Sequence, residues 1–424
     1  MRKSILFGLC SALAVAASAQ VTDYQPLEHA PYSASATVAP EAVKVFSGTY
    51  IGSGQTLEAQ ANDAFDQLAK DLQQVGASLN QVVNVRGYLR VEPDDSQMET
   101  VMQGWNAAFN QHFGSREVPP TRTTIGVTML ADGQAKLALD AVIALEPDQW
   151  PDGATRLSNE RVQDLTPHLT AVKPFTALAL TSGVLGDPGP EGQMGNMEAQ
   201  ASSALDKLAD ALAHWGASPR DVVFARALLS PPVPEEGEAA EPVDFKGFDA
   251  AWTRYWQDRR MAPPALSTLA APGFNSSGRL IEIELYAALP NAAEAGTGVK
   301  REGSDTSFLS RSSLVGREAA LTWFSGVVDT TREDHHGQGA TALITLSERM
   351  ADAGVEPEGV VQLRAYLEIE DFGPEFGQWN KAYGRFFNHP NLNPTKPVRT
   401  AFPVEASPGK SLLEIELIGV SDWK

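Results

Sequence analysis

Near its C-terminal end the chain reads Pro397-Val398-Arg399-Thr400 and, a short way further on, Leu413-Glu414-Ile415-Glu416-Leu417. Successive side chains of a β-strand point to opposite faces, so Glu414 and Glu416 share one face while the three apolar residues share the other. This alternation predicts a sheet that is apolar on one face and acidic on the opposite face. Arg399 is expected on a neighbouring strand.

An arginine opposite a carboxylate can be interpreted in two ways. It can form a cross-strand ion pair on a solvated sheet face, which is worth about 0 to 1 kcal/mol. Alternatively, the planar guanidinium of Arg399 can bind a ligand carboxylate through two parallel hydrogen bonds. A glutamate would then be free to position or deprotonate a water molecule. The two segments alone leave both interpretations open.

The length and composition indicate a globular protein of several domains. At 424 residues the chain is too long for one ordinary core, which favours two to four domains. Hydrophobic residues make up 43% and charged residues 20% of the chain, as in folded proteins. The net charge of -20 would repel phosphate backbones, so nucleic acid is not an expected partner.

The first nineteen residues have the pattern of a signal peptide. Arg2 and Lys3 precede an apolar run over residues 5–17, and Ala17-Ser18-Ala19 supplies a small-x-small cleavage site. A membrane anchor is the alternative, but the run is shorter than the roughly 20 residues needed to span a bilayer. We therefore expect export to the periplasm or beyond, with no membrane association after cleavage. Cys10 would leave with the leader, so no disulfide or thiolate metal site is expected.

An internal repeat organises the rest of the chain. Apolar residues at helical spacing are followed by a glycine and a strand, and the same pattern occurs three times. The strand carries an arginine at the same register in each copy, namely Arg86, Arg226 and Arg364. Each copy also opens with a strand ending in Ser-Gly, has a second helix with aromatic residues and closes with a glycine-bearing hairpin.

These features predict three modules of order ββαβαββ at residues 29–147, 172–289 and 314–421, joined by linkers at 148–171 and 290–317. The helices of each module can cover only one sheet face, which defines an α+β two-layer fold. The three remaining faces can be buried against one another in a barrel with the helices outside. Clefts between modules would then be natural binding sites.

The modules resemble the Rid family of reactive intermediate deaminases, also called YjgF-type proteins. The resemblance rests on Ala30-Pro31-Tyr32-Ser33, on Phe46-Ser47-Gly48, and on the closing Pro-x-Arg-Thr and x-Glu-Ile-Glu segments. It implies a chorismate-mutase-like fold and a family trimer fused into one monomeric, pseudo-trimeric chain. It also implies hydrolysis of 2-imino or enamino acids to 2-keto acids and ammonia without a cofactor. The expected partner is a small carboxylate substrate.

The resemblance assigns site roles most completely in module 3. Arg399 matches the family arginine that holds the substrate carboxylate, and Glu414 matches the glutamate that positions water. Asn380 would add a polar contact from a helix, and Ser325 and Gly326 would line the cleft. These matches predict a catalytic cleft that contains residues of module 3, completed by an undetermined neighbour.

Modules 1 and 2 each lack part of the family set. Module 1 keeps four binding residues but has Ala138 at the glutamate position; the four are Tyr32, Ser47, Asn106 and Arg122. Module 2 has Glu282, but Leu266 replaces the arginine and Asp249 replaces the asparagine. By this comparison at most one cleft is complete. A protein that binds small carboxylates without catalysis, or serves as a scaffold, is therefore the competing hypothesis.

Two other groups of residues were weighed as sites. Asp334-His335-His336 is expected in a loop, where adjacent histidines seldom bind one metal ion, so a solvated loop is favoured and a position near Arg399 is the alternative. The aromatic residues Trp379, Tyr383, Phe386 and Phe387 follow helical spacing, which favours core packing. No metal site is predicted.

Overall fold

A computed structural model describes residues 21–421, except 28–29, 92–97, 150–155, 158–168, 188–194, 233–240, 275–277, 290–295, 303–308, 371 and 388–395. The predicted leader and most of an acidic segment of module 2 lie outside the described residues. The described strands are β1 (Thr22–Pro26), β2 (Ser33–Val38), β3 (Val43–Ser47), β4 (Tyr50–Ile51), β5 (Val82–Arg90), β6 (Thr121–Val127), β7 (Leu137–Leu145), β8 (Arg156–Leu157), β9 (Leu169–Val172), β10 (Ala177–Thr181), β11 (Val184–Leu185), β12 (Val222–Leu229), β13 (Ala265–Ala270), β14 (Ile281–Leu289), β15 (Val299–Glu302), β16 (Ser312–Val315), β17 (Ala320–Phe324), β18 (Val327–Val328), β19 (Val360–Glu368), β20 (Val398–Val404) and β21 (Leu413–Ser421). The described α-helices are α1 (Leu57–Gln73), α2 (Met98–Phe113), α3 (Met197–Ala213), α4 (Phe245–Asp258), α5 (His335–Asp352) and α6 (Phe372–Phe387).

The same element order occurs three times, from β3 to β7, from β10 to β14 and from β17 to β21, each time with two helices. In each copy the strand between the helices pairs in parallel with the strand after the second helix and antiparallel with the long closing strand. A helix between two strands of one sheet permits the parallel pairing. The α+β class is thus confirmed, and curved sheets with six described helices are compatible with the three predicted modules.

The helices form where the apolar periodicity predicts them. In α1, Ala61, Phe65 and Leu68 are fully buried and pack on the sheet of module 1. Thr56 caps the helix by accepting a hydrogen bond from the Ala59 N–H, 3.1 Å away, which satisfies one of the free donors of the first turn. Gly76 follows the helix with a φ of +69°, a conformation that favours glycine. Each helix pair covers one face of its own module's sheet.

The strand that precedes each opening strand pairs with a different module. β2 of module 1 pairs with β17 of module 3, β9 pairs with β3 of module 1, and β16 pairs with β10 of module 2. β8, β9, β15 and β16 lie wholly or mainly in the ranges predicted as linkers, so those segments carry sheet structure. We call this arrangement the strand exchange.

The sheet faces away from the helices meet in the interior, where residues of all three modules pack together. Two apolar clusters there each draw on strands of every module. The described interior also holds a closed ring of ion pairs in which three arginines alternate with three carboxylates. In ring order these are Arg86, Asp140, Arg226, Glu284, Arg364 and Glu416, and Glu416 contacts Arg86 again. We call this the ion ring.

Every member of the ion ring is at least 96% buried, so the solvated ion pair that one of the two interpretations allowed does not describe Glu416. Each carboxylate is also bonded by a hydroxyl of the next module: Ser267 donates to Asp140 (2.8 Å), Thr400 to Glu284 (2.6 Å) and Thr123 to Glu416 (2.7 Å). Burial alone would raise the pKa of Glu416, but Arg86 and Arg364 outweigh it and hold that pKa well below its ordinary value. The ring is therefore ionised and balanced in charge.

Among the described residues, no helix is both long and apolar enough to cross a bilayer.

Candidate functional site

Arg399, at the start of β20, lies where module 3 meets module 2. Its Nη1 donates to Asn380 Oδ1 of α6 at 2.8 Å, and its guanidinium carbon lies 4.7 Å from the centre of the Tyr383 ring. Its backbone N–H donates to Ser182 Oγ at 2.9 Å, and its carbonyl oxygen accepts from the Gly183 N–H at 3.3 Å. The strand that carries Arg399, β20 of module 3, is thus hydrogen-bonded to Ser182 and Gly183 of module 2.

The glutamate that faces Arg399 is Glu282 of module 2. The Glu282 carboxyl packs directly on Gly183, because a Cβ built on that glycine would overlap Oε1. Each of Arg399 and Glu282 acts electrostatically on the other, whereas Glu414 is not among the charges that act on Arg399. The sequence predicts Arg399 and Glu414 in one cleft, but the structure places Glu282, and not Glu414, beside Arg399. We call this site the Arg399 cleft.

Arg122, on β6 of module 1, has the same surroundings at the contact with module 3. Its Nη1 donates to Asn106 Oδ1 of α2 at 2.8 Å, and its guanidinium carbon lies 4.6 Å from the centre of the Tyr32 ring. Its backbone N–H donates to Ser325 Oγ at 2.8 Å, and its carbonyl oxygen accepts from the Gly326 N–H at 3.1 Å. The asparagine and backbone contacts repeat those of Arg399, whereas the aromatic contacts differ: Phe109 of α2, with its ring centre 5.0 Å from the guanidinium carbon, corresponds to Tyr383, and Tyr32 is additional.

Glu414 faces Arg122 and completes this second site, the Arg122 cleft. Its Oε1 would be overlapped by a Cβ on Gly326, and the backbone N–H of Thr124 donates to its carboxyl. By sequence, module 1 lacks the family glutamate, and module 2 lacks the family arginine, which we call the clamp arginine. Because each cleft takes its arginine from one module and its glutamate from another, both missing residues fall at the remaining contact.

That remaining contact, between modules 2 and 1, has Leu266 and Ala138 at the positions of the arginine and the glutamate. We call it the Leu266 interface. Thr49 N–H donates to the Leu266 carbonyl oxygen at 3.0 Å, so the strands still meet there. Ser47 does not bridge the modules as Ser182 and Ser325 do, since its hydroxyl accepts from the Ala141 N–H (2.8 Å) within its own module. Ser47, which was predicted to bind substrate, therefore lies at the contact that has neither the arginine nor the glutamate.

The two cleft glutamates share an unusual electrostatic environment. Burial, with the negative charge of Glu416 two residues away, raises the pKa of Glu414 to about 8. Burial, with the charge of Glu284, likewise raises the pKa of Glu282 to about 8. A carboxyl group with such a pKa is largely protonated at neutral pH and can exchange a proton with a bound molecule.

In the Arg122 cleft several hydrogen-bonding atoms are available to a ligand. Glu414 Oε2 is buried and has no hydrogen-bond partner among the residues that the structure describes, which is costly for a polar atom in a folded protein. Among the described residues, no hydrogen-bond acceptor contacts Nε or Nη2 of Arg122. A guanidinium with two free N–H edges opposite an unpaired carboxyl oxygen forms a complementary pair for a small carboxylate with a polar group beside it.

Sequence reasoning missed three features of these sites. The pairing of Arg399 with Glu282 crosses modules, and no spacing within one module reveals it. Tyr383, assigned to core packing, also lies against Arg399, and Leu309 precedes Ser310 where Tyr32 precedes Ser33 in the other cleft. The ion ring had a visible signal, because an arginine and a carboxylate recur at the same register in all three copies.

The two histidines do not lie in a loop as predicted. His335 is the first residue of α5, because the Asp334 side chain accepts a hydrogen bond from the Gly337 N–H and caps the helix. His335 Nε2 contacts the Glu368 carbonyl oxygen at 2.6 Å, and His336 Nε2 contacts Arg385 Nη1 at 2.8 Å. Within the described part of the chain, no group of three or more metal-binding side chains is present.

A cavity of about 1130 Å³ lies in module 1, between the start of α1 and the loop from β6 to β7, which is not the predicted hairpin because β5 lies between the two strands. Its lining includes Gln60 and Lys136 and none of the cleft arginines or glutamates. The Gln60 side chain donates to the Gly54 carbonyl oxygen (3.0 Å) and accepts from the Lys136 N–H (2.7 Å). Because the Gln60 side chain is already hydrogen-bonded to the backbone that lines this cavity, the two clefts are the better candidates for a ligand-binding site.

Comparison with known protein families identifies the family to which the chain belongs. The profile of the family described as Endoribonuclease L-PSP matches residues 23–144 and 320–421, more than half of the chain. The chain therefore belongs to this family, which is also known as the YjgF or Rid family. Residues 172–289, which include Leu266 and Asp249, lie outside the matched ranges. No curated protein matches the chain.

Several solved structures are similar to single stretches of the chain. A YjgF/YER057c/UK114 family member from Mycobacterium tuberculosis is 24% identical, with 29% of this chain and 99% of that chain covered and a TM-score of 0.21. A conserved Rid family protein from Yersinia pestis is 20% identical, with 32% and 100% covered and a TM-score of 0.26. A YjgF family member from Neisseria meningitidis is 18% identical, with 29% and 92% covered and a TM-score of 0.20.

Proposed function

We propose that this protein hydrolyses small 2-imino acids to 2-keto acids and ammonia, and that it does so in two clefts. The observation that carries the proposal is the Arg122 cleft, where a guanidinium with free N–H groups faces the unpaired, buried Oε2 of Glu414. The Arg399 cleft likewise brings an arginine of one module close to a glutamate of another, Glu282, and each acts electrostatically on the other. Neither the clamp nor the glutamate is needed by a protein that serves only as a scaffold.

In this reaction the arginine binds the substrate carboxylate through two parallel hydrogen bonds, which fixes the imine carbon in the cleft. Asn106 or Asn380 holds the guanidinium in place by accepting from Nη1. Serine hydroxyls at Ser325 and Ser182 are bonded to the backbone of the clamp strand, so they position the arginine and do not contact the substrate.

The protonated glutamate supplies the chemistry. It first donates its proton to the imine nitrogen, and its carboxylate then takes a proton from water as the water oxygen bonds to the imine carbon. The product of this step carries a hydroxyl and an amino group on one carbon. The glutamate proton next moves to the amino nitrogen, the C–N bond breaks, and ammonia leaves. The hydroxyl proton returns to the glutamate as the keto group forms, which restores the enzyme.

The architecture that accompanies this proposal is a pseudo-trimeric barrel of modules 29–147, 172–289 and 314–421 with the helices outside. The ion ring supports it, since each module gives one arginine and one carboxylate to a closed circuit. We further propose that the chain is a monomer and is exported after cleavage at Ala19, as the Ala17-Ser18-Ala19 pattern indicates. Light scattering and intact-mass analysis of secreted protein test these two points.

RNA cleavage, which the family description names, has less support in this chain. The net charge is -20, and both cleft arginines are 92% buried, so a phosphate backbone would meet repulsion before it reached either guanidinium. A small monoanion bears a single charge to be paired with one arginine. The geometry therefore favours a small carboxylate as the substrate.

The experiment that tests the function generates 2-imino acids in place with an amino-acid oxidase and follows their decay by trapping with semicarbazide. We expect the wild type to shorten the lifetime of the imino acid and the Arg122→Lys/Arg399→Lys double variant to lose about 100-fold in turnover, because an ammonium cannot reproduce the bidentate fork. A wild type that leaves the decay of several imino acids unchanged would reject the hydrolase and favour carboxylate binding alone.

A further inference from the structure

The ion ring and the two clefts share the same pairs of strands. Thr123, which donates to Glu416, directly follows the clamp residue Arg122 on β6. Glu416 lies two residues after Glu414 on β21 and shares its face. One ring hydrogen bond thus joins the strand that carries the arginine to the strand that carries the glutamate.

The Arg399 cleft is built in the same way. Thr400 directly follows Arg399, and its hydroxyl donates to Glu284 Oε2 at 2.6 Å. Glu284 lies two residues after Glu282 on β14. In both clefts a short, buried hydrogen bond to an ionised carboxylate therefore lies beside the gap in which the substrate would bind, and such bonds are the stronger ones in proteins.

Building on the proposed function, we propose that Glu416 with Thr123, and Glu284 with Thr400, are positioning residues that hold each clamp arginine at the right distance from its glutamate. A shift of about 1 Å between reacting groups can cost roughly 100-fold in rate, so a bond that fixes two strands in register has catalytic value. The ring arginines hold the two carboxylates in turn: Arg364 contacts both, at Glu284 and at Glu416.

The same placement has an electrostatic consequence. Around Glu414 the charged and polar groups are Arg122, the Thr124 N–H, Glu416 and Tyr366, which pairs opposite Glu414 on β19 and donates to Glu416. The fixed negative charge of Glu416 disfavours a second negative charge on Glu414. A protonated Glu414 can then serve as the proton donor up to the pH at which it ionises.

The chain contains a matched control for the positioning role. At the Leu266 interface Ser267 Oγ donates to Asp140 Oδ2 at 2.8 Å, the counterpart of the two threonine contacts. No clamp arginine and no cleft glutamate flank it, since Leu266 and Ala138 stand at those positions. Removal of this hydroxyl disturbs the ion ring to a similar degree without altering a cleft.

The test measures turnover and the affinity for a 2-keto acid such as pyruvate in a Glu282→Gln background, where only the Arg122 cleft is active. We expect Thr123→Val to lower turnover about 10-fold, Ser267→Ala to leave it unchanged, and the two substitutions to lower the melting temperature by similar amounts. The Arg399 cleft is tested in the same way in a Glu414→Gln background, where Thr400→Val should lower turnover about 10-fold and Ser267→Ala should leave it unchanged. Equal effects of Thr123→Val and Ser267→Ala on turnover would overturn the inference.

A pH profile gives a readout that a purely structural role would not move. In the Glu282→Gln background, activity should fall as Glu414 ionises on the alkaline side, and Glu416→Gln should move that fall to lower pH because it removes the neighbouring negative charge. An unmoved profile would contradict the electrostatic part. If Glu416→Gln does not fold, the comparison of Thr123→Val with Ser267→Ala decides.

The binding measurement separates this inference from the proposed function. If the wild type binds pyruvate but hydrolyses no imino acid, the hydrolase proposal fails, and weaker binding in Thr123→Val than in Ser267→Ala still supports the positioning role. If the wild type hydrolyses imino acids and both variants match it, the positioning role fails and the function stands.

Discussion

The Arg122 cleft and the Leu266 interface lie at equivalent module contacts and differ in three side chains and in the strand contact, because Gly326 N–H donates to the Arg122 carbonyl oxygen whereas Thr49 N–H, one residue further along its segment, donates to that of Leu266. At both, a strand of one module bonds to the Ser-Gly-Thr or Ser-Gly segment of the next, and a hydroxyl donates to a ring carboxylate. Arg122, Asn106 and Glu414 at the first correspond to Leu266, Asp249 and Ala138 at the second. The ion ring is present at every module contact, whereas the arginine, asparagine and glutamate are present at two.

This comparison separates what holds the modules together from what acts on a ligand. Removal of one partner from a buried ion pair leaves an uncompensated charge and costs about 3 to 5 kcal/mol, so the ring tolerates little change. The modules meet at the Leu266 interface without the cleft arginine and glutamate, so these two groups are not needed to join them. Loss of function at one contact is therefore compatible with a stable protein.

The largest expected effect tests which arginine works with which glutamate. Arg399→Lys combined with Glu414→Gln should disable both clefts and lower imino-acid turnover about 100-fold. Arg399→Lys combined with Glu282→Gln disables one cleft twice and should retain about the turnover of Arg399→Lys alone. Steady-state rates of the two double variants decide the matter. The reverse ranking would show that each cleft draws its arginine and glutamate from one module.

The glycines against the glutamates give a second, smaller effect. In an Arg399→Lys background, Gly326→Ala should lower turnover about 30-fold, because its Cβ would overlap Glu414 Oε1 and displace the carboxyl. Gly133→Ala is the control, since nothing lies within 4 Å of its Cβ position. The rates of both variants are measured in the same background. Full activity of Gly326→Ala would contradict the placement of Glu414 against this glycine.

The cleft glutamates should also make stability depend on pH. In the unfolded chain a glutamate ionises near its ordinary pKa of about 4.5, whereas Glu282 and Glu414 keep their protons to about pH 8. Between these values the unfolded state has released protons that the folded state holds, so folded-state stability falls as pH rises, by about 1.4 kcal/mol per pH unit for each group. Below pH 4.5 both states are protonated and the effect is absent.

Glu282→Gln/Glu414→Gln should therefore raise the melting temperature at pH 8 and change it little at pH 5. Exposed Glu348 on α5 provides the control, as Glu348→Gln should shift the melting temperature equally at the two pH values. Calorimetry at both pH values measures the difference. A gain that is the same at pH 5 and pH 8 would mean that the glutamates are not held protonated.

The smallest effect concerns the aromatic wall of the Arg122 cleft. Tyr32→Leu removes the ring that lies 4.6 Å from the guanidinium carbon of Arg122 and introduces the residue found as Leu309 beside the other cleft. A cation–π contact of this kind is worth about 0.5 to 1 kcal/mol, so KM in an Arg399→Lys background should rise about 3-fold. An unchanged KM would show that Tyr32 contributes only to packing.

The repeat and the local alternation were accessible from the sequence because both are properties of short segments. The spacing of Leu57, Ala61 and Phe65 predicts α1, and the alternation at Glu414 and Glu416 predicts their shared face. The pairing of Arg399 with Glu282 was not accessible, since it depends on which edges of two modules meet. No periodicity within a module specifies its neighbour.

The ion ring on the buried sheet faces was also missed, for a different physical reason. Alternating charged residues on a strand are usually a solvated surface, and Glu416 taken alone fits that interpretation. Its burial depends on Arg86 and Arg364, which lie more than fifty residues away in sequence and supply the opposite charge. Three arginines at one register, facing three carboxylates, were the signal for a buried network.

The strand exchange bears on the order in which the protein can be completed during synthesis. The partner of β2 in this exchange is β17, with Trp323 opposite Ala36, and it is made nearly three hundred residues later. Contacts between residues so distant in sequence form slowly, and a strand edge that is still unpaired can pair with a wrong segment in the meantime. Until module 3 has been made, β2 has an open edge, so the pairing of β17 with β2 is a late step that closes this sheet.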